Sequence, residues 1–248
     1  MKYKIIFTIF LFLFSLFYLH KATNFIREND ELMIKIKEKQ NEYNVNYVDA
    51  IITKNTMIPG LSGKKINLNK SYKKMKAINS FNTSMLVFDK IKPNKTIKNK
   101  FDKLILSGNK KTNNISIILN ITDEYSFNEL NKILISNNVY ADIIINKKYR
   151  LDNTNFKNIV SETYQDNIDF CLTYTLTIKK ECIKNKKYTL LGNNIYNYHL
   201  TNTKDILQNG IILVYQFNKS NYQDLNIILK YIKNNNYNII SVDKLIME

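Results

Sequence analysis

Two pairs of carboxylates are the side chains of this sequence whose types and spacing could do chemistry. Asp123 and Glu124 follow an apolar run, Ile115–Ile121, that is rich in β-branched residues. Glu162 and Asp166 stand at positions i and i+4 of a polar segment. Carboxylate oxygens bind hard cations, and a carboxylate can also act as a general base. A solvated helix end is the alternative interpretation of the second pair.

The apolar run before Asp123 is the element that must position the first pair. Such a run is typical of a strand that is buried on both faces of a parallel sheet. Sheets and barrels of the α/β class place their chemistry at the carboxyl ends of these strands. Further strands are predicted at 139–145, 168–174, 188–191, 195–200, 210–215 and 237–241, with helices at 126–137, 154–162, 176–184, 203–208, 222–235 and 242–247. This alternation predicts a parallel sheet or barrel, with Ser126 and Glu129 at the spacing of a helix capping box.

Histidine and cysteine, the other common ligands and nucleophiles, are scarce. The two histidines are His20 and His199, and a lone His199 is predicted to be structural or to lie on the surface. Cys171 and Cys182 lack the Cys-x-x-Cys spacing of a redox or metal motif. Outside the cell they could form a disulfide, and in a reducing compartment they would be buried thiols.

The net charge of +16 comes almost entirely from lysine, since arginine occurs only at Arg27 and Arg150. Lysine, asparagine, isoleucine and tyrosine are all abundant, which an A/T-rich genome explains without any ligand. The lysines form short clusters rather than one basic stripe with interleaved aromatics, so no nucleic-acid partner is expected. Anionic wall polymer or anionic lipid stays open as a partner of these clusters.

An unbroken apolar stretch near the N-terminus predicts a membrane segment. As a helix, the stretch from Ile5 to Leu19 spans about 22 Å, short of a hydrocarbon core of ~30 Å, but flanking lysines can snorkel. No small-residue cleavage site follows, which favours an uncleaved signal anchor over a cleaved signal peptide. Lys2 and Lys4 place the N-terminus in the cytoplasm by the positive-inside rule. The bulk of the chain is therefore expected outside the cell membrane, after a single pass.

The predicted organisation has five parts. Residues 1–4 form a cytoplasmic tail, 5–20 the transmembrane signal anchor and 21–44 a polar helical stalk. Residues 45–110, which include a helix at 71–78 and a strand at 84–88, form a small segment that packs on the main domain at 111–248.

Three segments of the main domain resemble the polysaccharide deacetylase, or NodB-homology, family. In the first, Ile115 to Asn146, the run Ala141 to Ile145 lies where the family has Ala-Thr-Phe-Phe-Val. The second is Ile159 to Asp166. The third, Gly210 to Leu245, is similar to the last βαβ unit of the family. The resemblance implies an abbreviated, irregular (β/α) barrel of the polysaccharide-deacetylase type, preceded by a transmembrane helix and a polar stalk.

The family's chemistry is metal-assisted deacetylation of N-acetylated sugars. It uses a Thr-Phe-Asp-Asp motif after the first strand, a His-x-x-x-His pair that completes the metal site, an arginine after a middle strand, and a late histidine as general acid. A divalent ion polarises the acetyl carbonyl and lowers the pKa of a bound water. The late histidine protonates the leaving amine.

This sequence departs from the family at each of these places. The Asp-Asp pair falls on Asn120 and Ile121, and the late histidine on Tyr215 or Gln216. The His-x-x-x-His pair falls on Glu162 and Asp166, which keep the spacing without the imidazoles. Asp123 or Glu124 could supply a carboxylate only in a shifted register. We therefore expect no catalytic residues and no cofactor.

The resemblance thus predicts a membrane-anchored, extracytoplasmic pseudoenzyme that binds cell-wall glycan or an envelope protein. The alternative is an active deacetylase of N-acetylated cell-wall sugars. It would hold a zinc-type divalent metal on an atypical carboxylate site made from Asp123, Glu124, Glu162 and Asp166.

Overall fold

A computed structural model describes residues 2–121, 124–145, 154–195, 207–215 and 224–248. The chain forms two compact units. The N-terminal unit comprises Met1–Tyr47 and Ser62–Ile91, and the barrel unit comprises Val48–Leu61 and Lys92–Glu248. The two units alternate along the chain, which differs from the predicted boundaries at residues 44 and 110.

The elements up to residue 91 are α1 (Lys2–Glu28), α2 (Glu31–Glu38), α3 (Gln40–Tyr43), β1 (Ile51–Ile52), β2 (Thr56–Ile58), β3 (Gly63–Ile66), α4 (Leu68–Lys76), a 3-10 helix (Thr83–Met85) and β4 (Phe88–Ile91). Those that follow are β5 (Leu104–Ile105), β6 (Asn114–Ile121), α5 (Glu124–Ser136), β7 (Ala141–Ile145), β8 (Phe156–Ser161), β9 (Phe170–Thr173), α6 (Lys180–Lys184), β10 (Thr189–Leu191), β11 (Asn193–Ile195), β12 (Ile212–Tyr215), α7 (Asp224–Asn234), β13 (Asn238–Ile239) and α8 (Val242–Leu245).

Helix α1 is long and apolar enough over Ile6–Glu28 to cross a membrane. Its large apolar side chains are exposed, from Phe7 at 62% to Leu19 at 62%. The helix continues eight residues beyond the predicted end of the anchor at residue 20. The coarse prediction of one apolar N-terminal helix is confirmed.

Helix α2 forms part of a core, although the sequence places it in a polar stalk. Leu32, Met33 and Ile36 are buried on one face, and the core also includes Ile66 and Met75. The mostly charged sequence of α2 obscured this face, because three apolar side chains at i, i+1 and i+4 are enough to bury a short helix.

The predicted strand at 84–88 is also wrong. Thr83–Met85 is a 3-10 helix, and the strand begins only at Phe88. The Asn82 side chain accepts a hydrogen bond from the Ser84 N–H at 2.9 Å and so starts the helical turn.

The barrel unit is built on one curled half-barrel sheet. Among the described residues the strand order is β1-β2-β5-β10-β9-β8-β7-β6-β12-β11, and β13 also pairs with β6. All these pairs are parallel except β1 with β2. This architecture confirms the predicted fold class, an irregular (β/α) barrel of the deacetylase type.

Strand β6 lies within the sheet and is buried on both faces, as its apolar run predicts. Ile117, Leu119 and Ile121 belong to the core that α5 and α7 cover. Ile118 belongs to a second core on the enclosed, concave face, together with residues such as Ile144 of β7. These two faces decide where each predicted site residue points.

Two helix predictions around β7 need correction. Residues 156–161 form strand β8 rather than a helix, because this segment pairs with both β7 and β9. Ser126 is not an N-cap, since α5 already begins at Glu124 and Ser126 is buried in its first turn.

The helix predicted at 176–184 is limited to Lys180–Lys184. The helix predicted at 203–208 and most of the strand predicted at 195–200 fall outside the described residues.

Candidate functional site at the carboxyl edge of the barrel

The carboxyl ends of the parallel strands meet at one edge of the half-barrel. Residues in register on neighbouring strands share a face of the sheet, and successive residues of one strand alternate between faces. Asn120 is in register with Ile144, and Asn194 with Val214. Because Ile144 and Val214 belong to the enclosed core, Asn120 and Asn194 point to the concave side.

Asn120 and Ile121, onto which the resemblance maps the family's Asp-Asp pair, point in opposite directions. Asn120 is partly exposed on the concave face and carries a neutral amide. Ile121 is 1% exposed and packs in the helix-covered core with residues such as Phe127. A residue at 121 therefore faces away from the barrel interior, so only Asn120 of this pair reaches the candidate site.

Tyr215, one of the two positions of the late histidine, also faces the helix-covered side. It is in register with Leu119 and is 1% exposed. Burial raises the pKa of its phenol well above the ordinary value, and the charge of Asp224 adds to this effect. Tyr215 is therefore a core residue rather than an acid at the mouth of the barrel. Gln216, the other position, lies outside the described residues.

Of the four weak carboxylate candidates, the structure describes the side chains of Glu162 and Asp166. Glu162 and Asp166 follow β8 in a non-helical turn, so the helical i, i+4 face expected for them does not exist. Both are exposed, and Asp166 accepts a hydrogen bond from the Tyr164 hydroxyl at 3.3 Å. Glu124 opens α5, and Asp123 lies outside the described residues.

The described side chains do not fit the metal that the family uses. No group of three His, Cys, Asp or Glu residues within them is placed to hold an ion. The resemblance maps the family's ligands and acid onto positions where the structure has the amide of Asn120 and the buried side chains of Ile121 and Tyr215. His199 is outside the described residues. We therefore assign no metal-dependent step to this edge.

The concave side near this edge is filled by side chains. A methyl group placed on Gly192 would approach Val214 Cγ2 to 2.7 Å, Leu172 Cδ1 to 2.9 Å and Tyr174 Cε1 to 3.2 Å. These three side chains converge on Gly192 and leave no room there for a larger residue. Among the described residues of this edge, Asn120 and Asn194 present neutral polar side chains to the concave face.

A disulfide joins Cys171 of β9 to Cys182 of α6, which settles the pairing that the sequence left open. Both cysteines are 1% exposed and pack with Ile168. The bond holds α6 against β9. Such bonds persist in oxidising compartments.

A buried carboxylate, Asp142, was missed by the sequence reasoning, which treated its strand only as an apolar run. It lies near the amino end of β7, away from the candidate site. Its oxygens accept hydrogen bonds from Ser116 Oγ at 3.1 Å, Asn158 Nδ2 at 2.5 Å and the Val242 N–H at 2.7 Å. Burial outweighs these bonds and raises its pKa to about 7. Asp142 thus fastens the start of α8 to the barrel.

Comparison with known proteins finds no matching family model for this sequence. The uncharacterized protein YlxY of Bacillus subtilis is 32% identical over 93 residues, which are 37% of this chain and 29% of that protein. The chain therefore matches less than a third of this curated relative.

Solved structures give a broader match. The wild-type BA3943 protein, a CE4-family pseudoenzyme from Bacillus anthracis, superposes with a TM-score of 0.64 at 15% identity and covers 89% of this chain and 96% of that one. A BA3943 mutant with restored enzymatic activity gives the same TM-score at 14% identity, over 88% of this chain and 99% of that one. This chain therefore has the fold of the family 4 carbohydrate esterases, the polysaccharide deacetylases.

Proposed function

We propose that this protein is a membrane-anchored, extracytoplasmic pseudoenzyme that binds cell-wall glycan at the carboxyl edge of its barrel. The observation that carries the proposal is Asn120. It is the one residue of the family's Asp-Asp position that points to the concave face, and its amide can neither act as a base nor replace an anionic ligand. The edge can still form hydrogen bonds after this loss.

The described side chains of the edge suit a neutral sugar. The amides of Asn120 and Asn194 can donate and accept hydrogen bonds with sugar hydroxyl and acetamido groups. The partly buried ring of Tyr174 adds an aromatic surface at the same edge. A few placed polar groups beside apolar side chains are typical of sites that bind without performing chemistry.

Three further observations support the proposal. The Cys171–Cys182 disulfide fits an oxidising, extracytoplasmic compartment. The exposed apolar helix α1 fits a membrane anchor. The pseudoenzyme BA3943 has the same fold, and a CE4-type barrel without activity is therefore a known outcome of this architecture.

Measurement of acetate release tests the proposed lack of deacetylase activity. The full-length chain, purified in detergent, is incubated with N-acetylglucosamine oligomers and with peptidoglycan, each with added zinc, cobalt or manganese. We expect no acetate above the level of a protein-free blank. Release that a chelator abolishes would contradict the proposal and support the active deacetylase with an atypical carboxylate site.

Sedimentation with insoluble peptidoglycan tests the binding half. The double variant Tyr174→Ala, Asn194→Ala should bind about tenfold more weakly, because it removes an aromatic contact and a hydrogen-bonding amide. Tyr140→Ala is the matched control, since Tyr140 precedes β7 at the opposite edge of the sheet and contacts Lys157 and Lys244. Absent binding, or an equal loss in both variants, would overturn the assignment to this edge.

A further inference from the structure

Helix α4 carries a basic face made of Lys70, Lys73 and Lys74. These lysines are spaced i, i+3 and i+4, so they lie on one side of the helix, and all three are exposed. The opposite side is buried, with Ser71 and Met75 both at 0% exposure. The face therefore has a fixed orientation relative to the core of the N-terminal unit.

Side-chain contacts hold α4 in this orientation. Ser71 Oγ accepts a hydrogen bond from the Val87 N–H at 2.9 Å and donates one to the Val87 carbonyl at 3.3 Å. Met75 packs in the same core as Ile36 of α2 and Ile66 of β3. The lysines are consequently presented by a rigid element rather than by a loose tail.

The surrounding sequence is strongly basic. Residues 62–91 contain seven lysines and a single carboxylate, Asp89, which gives this segment a net charge of +6. The two oxygens of Asp89 accept hydrogen bonds from Asn67 Nδ2 at 3.1 and 2.9 Å. Asp89 offsets one of the seven lysine charges in this segment.

The carboxyl end of α4 is fixed at the point where the chain leaves α1. Asp30, two residues beyond α1, accepts hydrogen bonds from Lys76 Nζ at 2.6 Å and from the Tyr72 hydroxyl at 3.0 Å. Lys76 beside it holds the pKa of Asp30 below the ordinary value, so this clamp persists at neutral pH. The basic face is thereby tied to the exit of the candidate membrane span.

Exposed apolar side chains occur at the same place. Phe25 and Ile26, near the carboxyl end of α1, are 71% and 69% exposed, and Ile78, two residues beyond α4, is 49% exposed. Apolar side chains next to exposed lysines are typical of protein surfaces that rest in the headgroup layer of a bilayer.

We propose that the basic face of α4 binds the anionic phospholipid headgroups of the bilayer that α1 spans. The ammonium groups of Lys70, Lys73 and Lys74 would contact lipid phosphates, while Phe25, Ile26 and Ile78 enter the interface. This inference rests on the proposed membrane insertion of α1. The location of the basic face beside the exit of α1 favours lipid over a soluble polyanion. Binding of lipid by this face gives the N-terminal unit a role in holding the protein close to the membrane.

Lysine labelling of the full-length chain in vesicles tests the inference. The protein is reconstituted in phosphatidylcholine vesicles with or without phosphatidylglycerol, labelled with a water-soluble amine reagent and analysed by mass spectrometry. At low salt, labelling of Lys70, Lys73 and Lys74 should fall about tenfold in anionic vesicles and recover at high salt. Labelling of Lys184 and Lys230, exposed lysines of the barrel unit, should not change.

A charge-reversed variant provides the second measurement. An environment-sensitive dye on Ile78→Cys should shift to the blue in anionic vesicles. The shift should be lost in the triple variant Lys70→Glu, Lys73→Glu, Lys74→Glu. The matched control is the triple variant Lys180→Glu, Lys184→Glu, Lys230→Glu of the barrel unit, which should keep the shift. Each variant is first checked for an unchanged thermal unfolding transition.

The possible outcomes distinguish failure of this inference from failure of the proposed membrane anchor on which it rests. Protein that floats with the vesicles but shows lipid-independent labelling would overturn the role of α4 and leave the anchor intact. Protein that does not float after carbonate washing would contradict the anchor itself. Protection of the three lysines by soluble poly(glycerol phosphate), but not by anionic vesicles, would overturn the lipid assignment in favour of a wall polymer.

Discussion

At the scale of single residues, the candidate site depends on the alternation of β6. Asn120 and Ile121 are neighbours in sequence, yet one faces the barrel interior and the other faces the covering helices. The resemblance to the family predicts a missing carboxylate at each of the two positions and does not distinguish them. The structure distinguishes them, because only a side chain at 120 can take part in any chemistry on the concave face.

This difference predicts unequal effects of the same substitution. Ile121→Asp places a charge in the helix-covered core and should reduce the free energy of unfolding by about 4 kcal/mol or more. Asn120→Asp keeps a similar volume at a partly exposed position and should cost about 1 kcal/mol. Denaturant titration of both variants measures the difference, and equal losses would show that the two faces are wrongly assigned.

Asp142 makes stability depend on pH. Its folded pKa of about 7 lies above the ordinary 3.8, so its favourable contribution is complete below about pH 4 and is lost as pH rises through about 7. Between about pH 4 and about pH 7 the wild type should lose up to about 1.4 kcal/mol of stability per pH unit relative to Asp142→Asn, and above about pH 7 the difference between the two proteins should stay constant. Denaturation curves between pH 5 and 9 measure this. Parallel curves for the two proteins would contradict a buried carboxyl that titrates in this range.

At the scale of elements, strand β8 shows why the site geometry escaped sequence reasoning. Residues 154–162 have no clear alternation of polar and apolar side chains, and the ladder between β7 and β8 shifts register between Ala141 and Ile143. This irregularity breaks the period of two that identifies a strand. Once β8 is a strand, Glu162 and Asp166 lose the helical spacing that made them resemble a metal pair.

The disulfide is the covalent link between β9 and α6, and it closes a short loop. Cys171→Ser with Cys182→Ser should lower the free energy of unfolding by about 3 kcal/mol, because the unfolded chain gains the freedom of that loop. Chemical denaturation of the double variant is compared with that of the oxidised wild type. The reduced wild type should match the variant closely, and an unchanged midpoint in both would show that the bond contributes nothing to stability.

At the scale of the whole molecule, the proposed placement depends on α1. Leu11→Lys with Leu13→Lys puts two charges at the centre of the apolar helix, each of which costs about 2.5–3.5 kcal/mol in a bilayer. The variant should leave the carbonate-resistant membrane fraction, in which the wild type should be found. Ile34→Lys, at an exposed position of α2, is the matched control and should stay with the membrane. Equal distributions of all three proteins would contradict the anchor.

The sequence alone determined the features that depend on local composition. It identified the apolar helix at the N-terminus, the doubly buried strand Ile115–Ile121, the βαβ alternation, and the absence of a carboxylate at Asn120 and Ile121. These predictions succeeded because they rest on long apolar runs or on residue identity, which neighbouring elements do not change.

Only the tertiary structure decided the features that depend on distant partners. The register of β6 with β7 and β12 set which of Asn120, Ile121 and Tyr215 faces the barrel interior. Pairing across the sheet made residues 156–161 a strand, and packing on β3 and α4 buried one face of α2. The disulfide and the buried Asp142 likewise required parts of the chain to meet that local sequence does not bring together. The residue types at positions 120, 121 and 215 are therefore known from the sequence, whereas the face of the sheet that each side chain occupies follows from long-range packing.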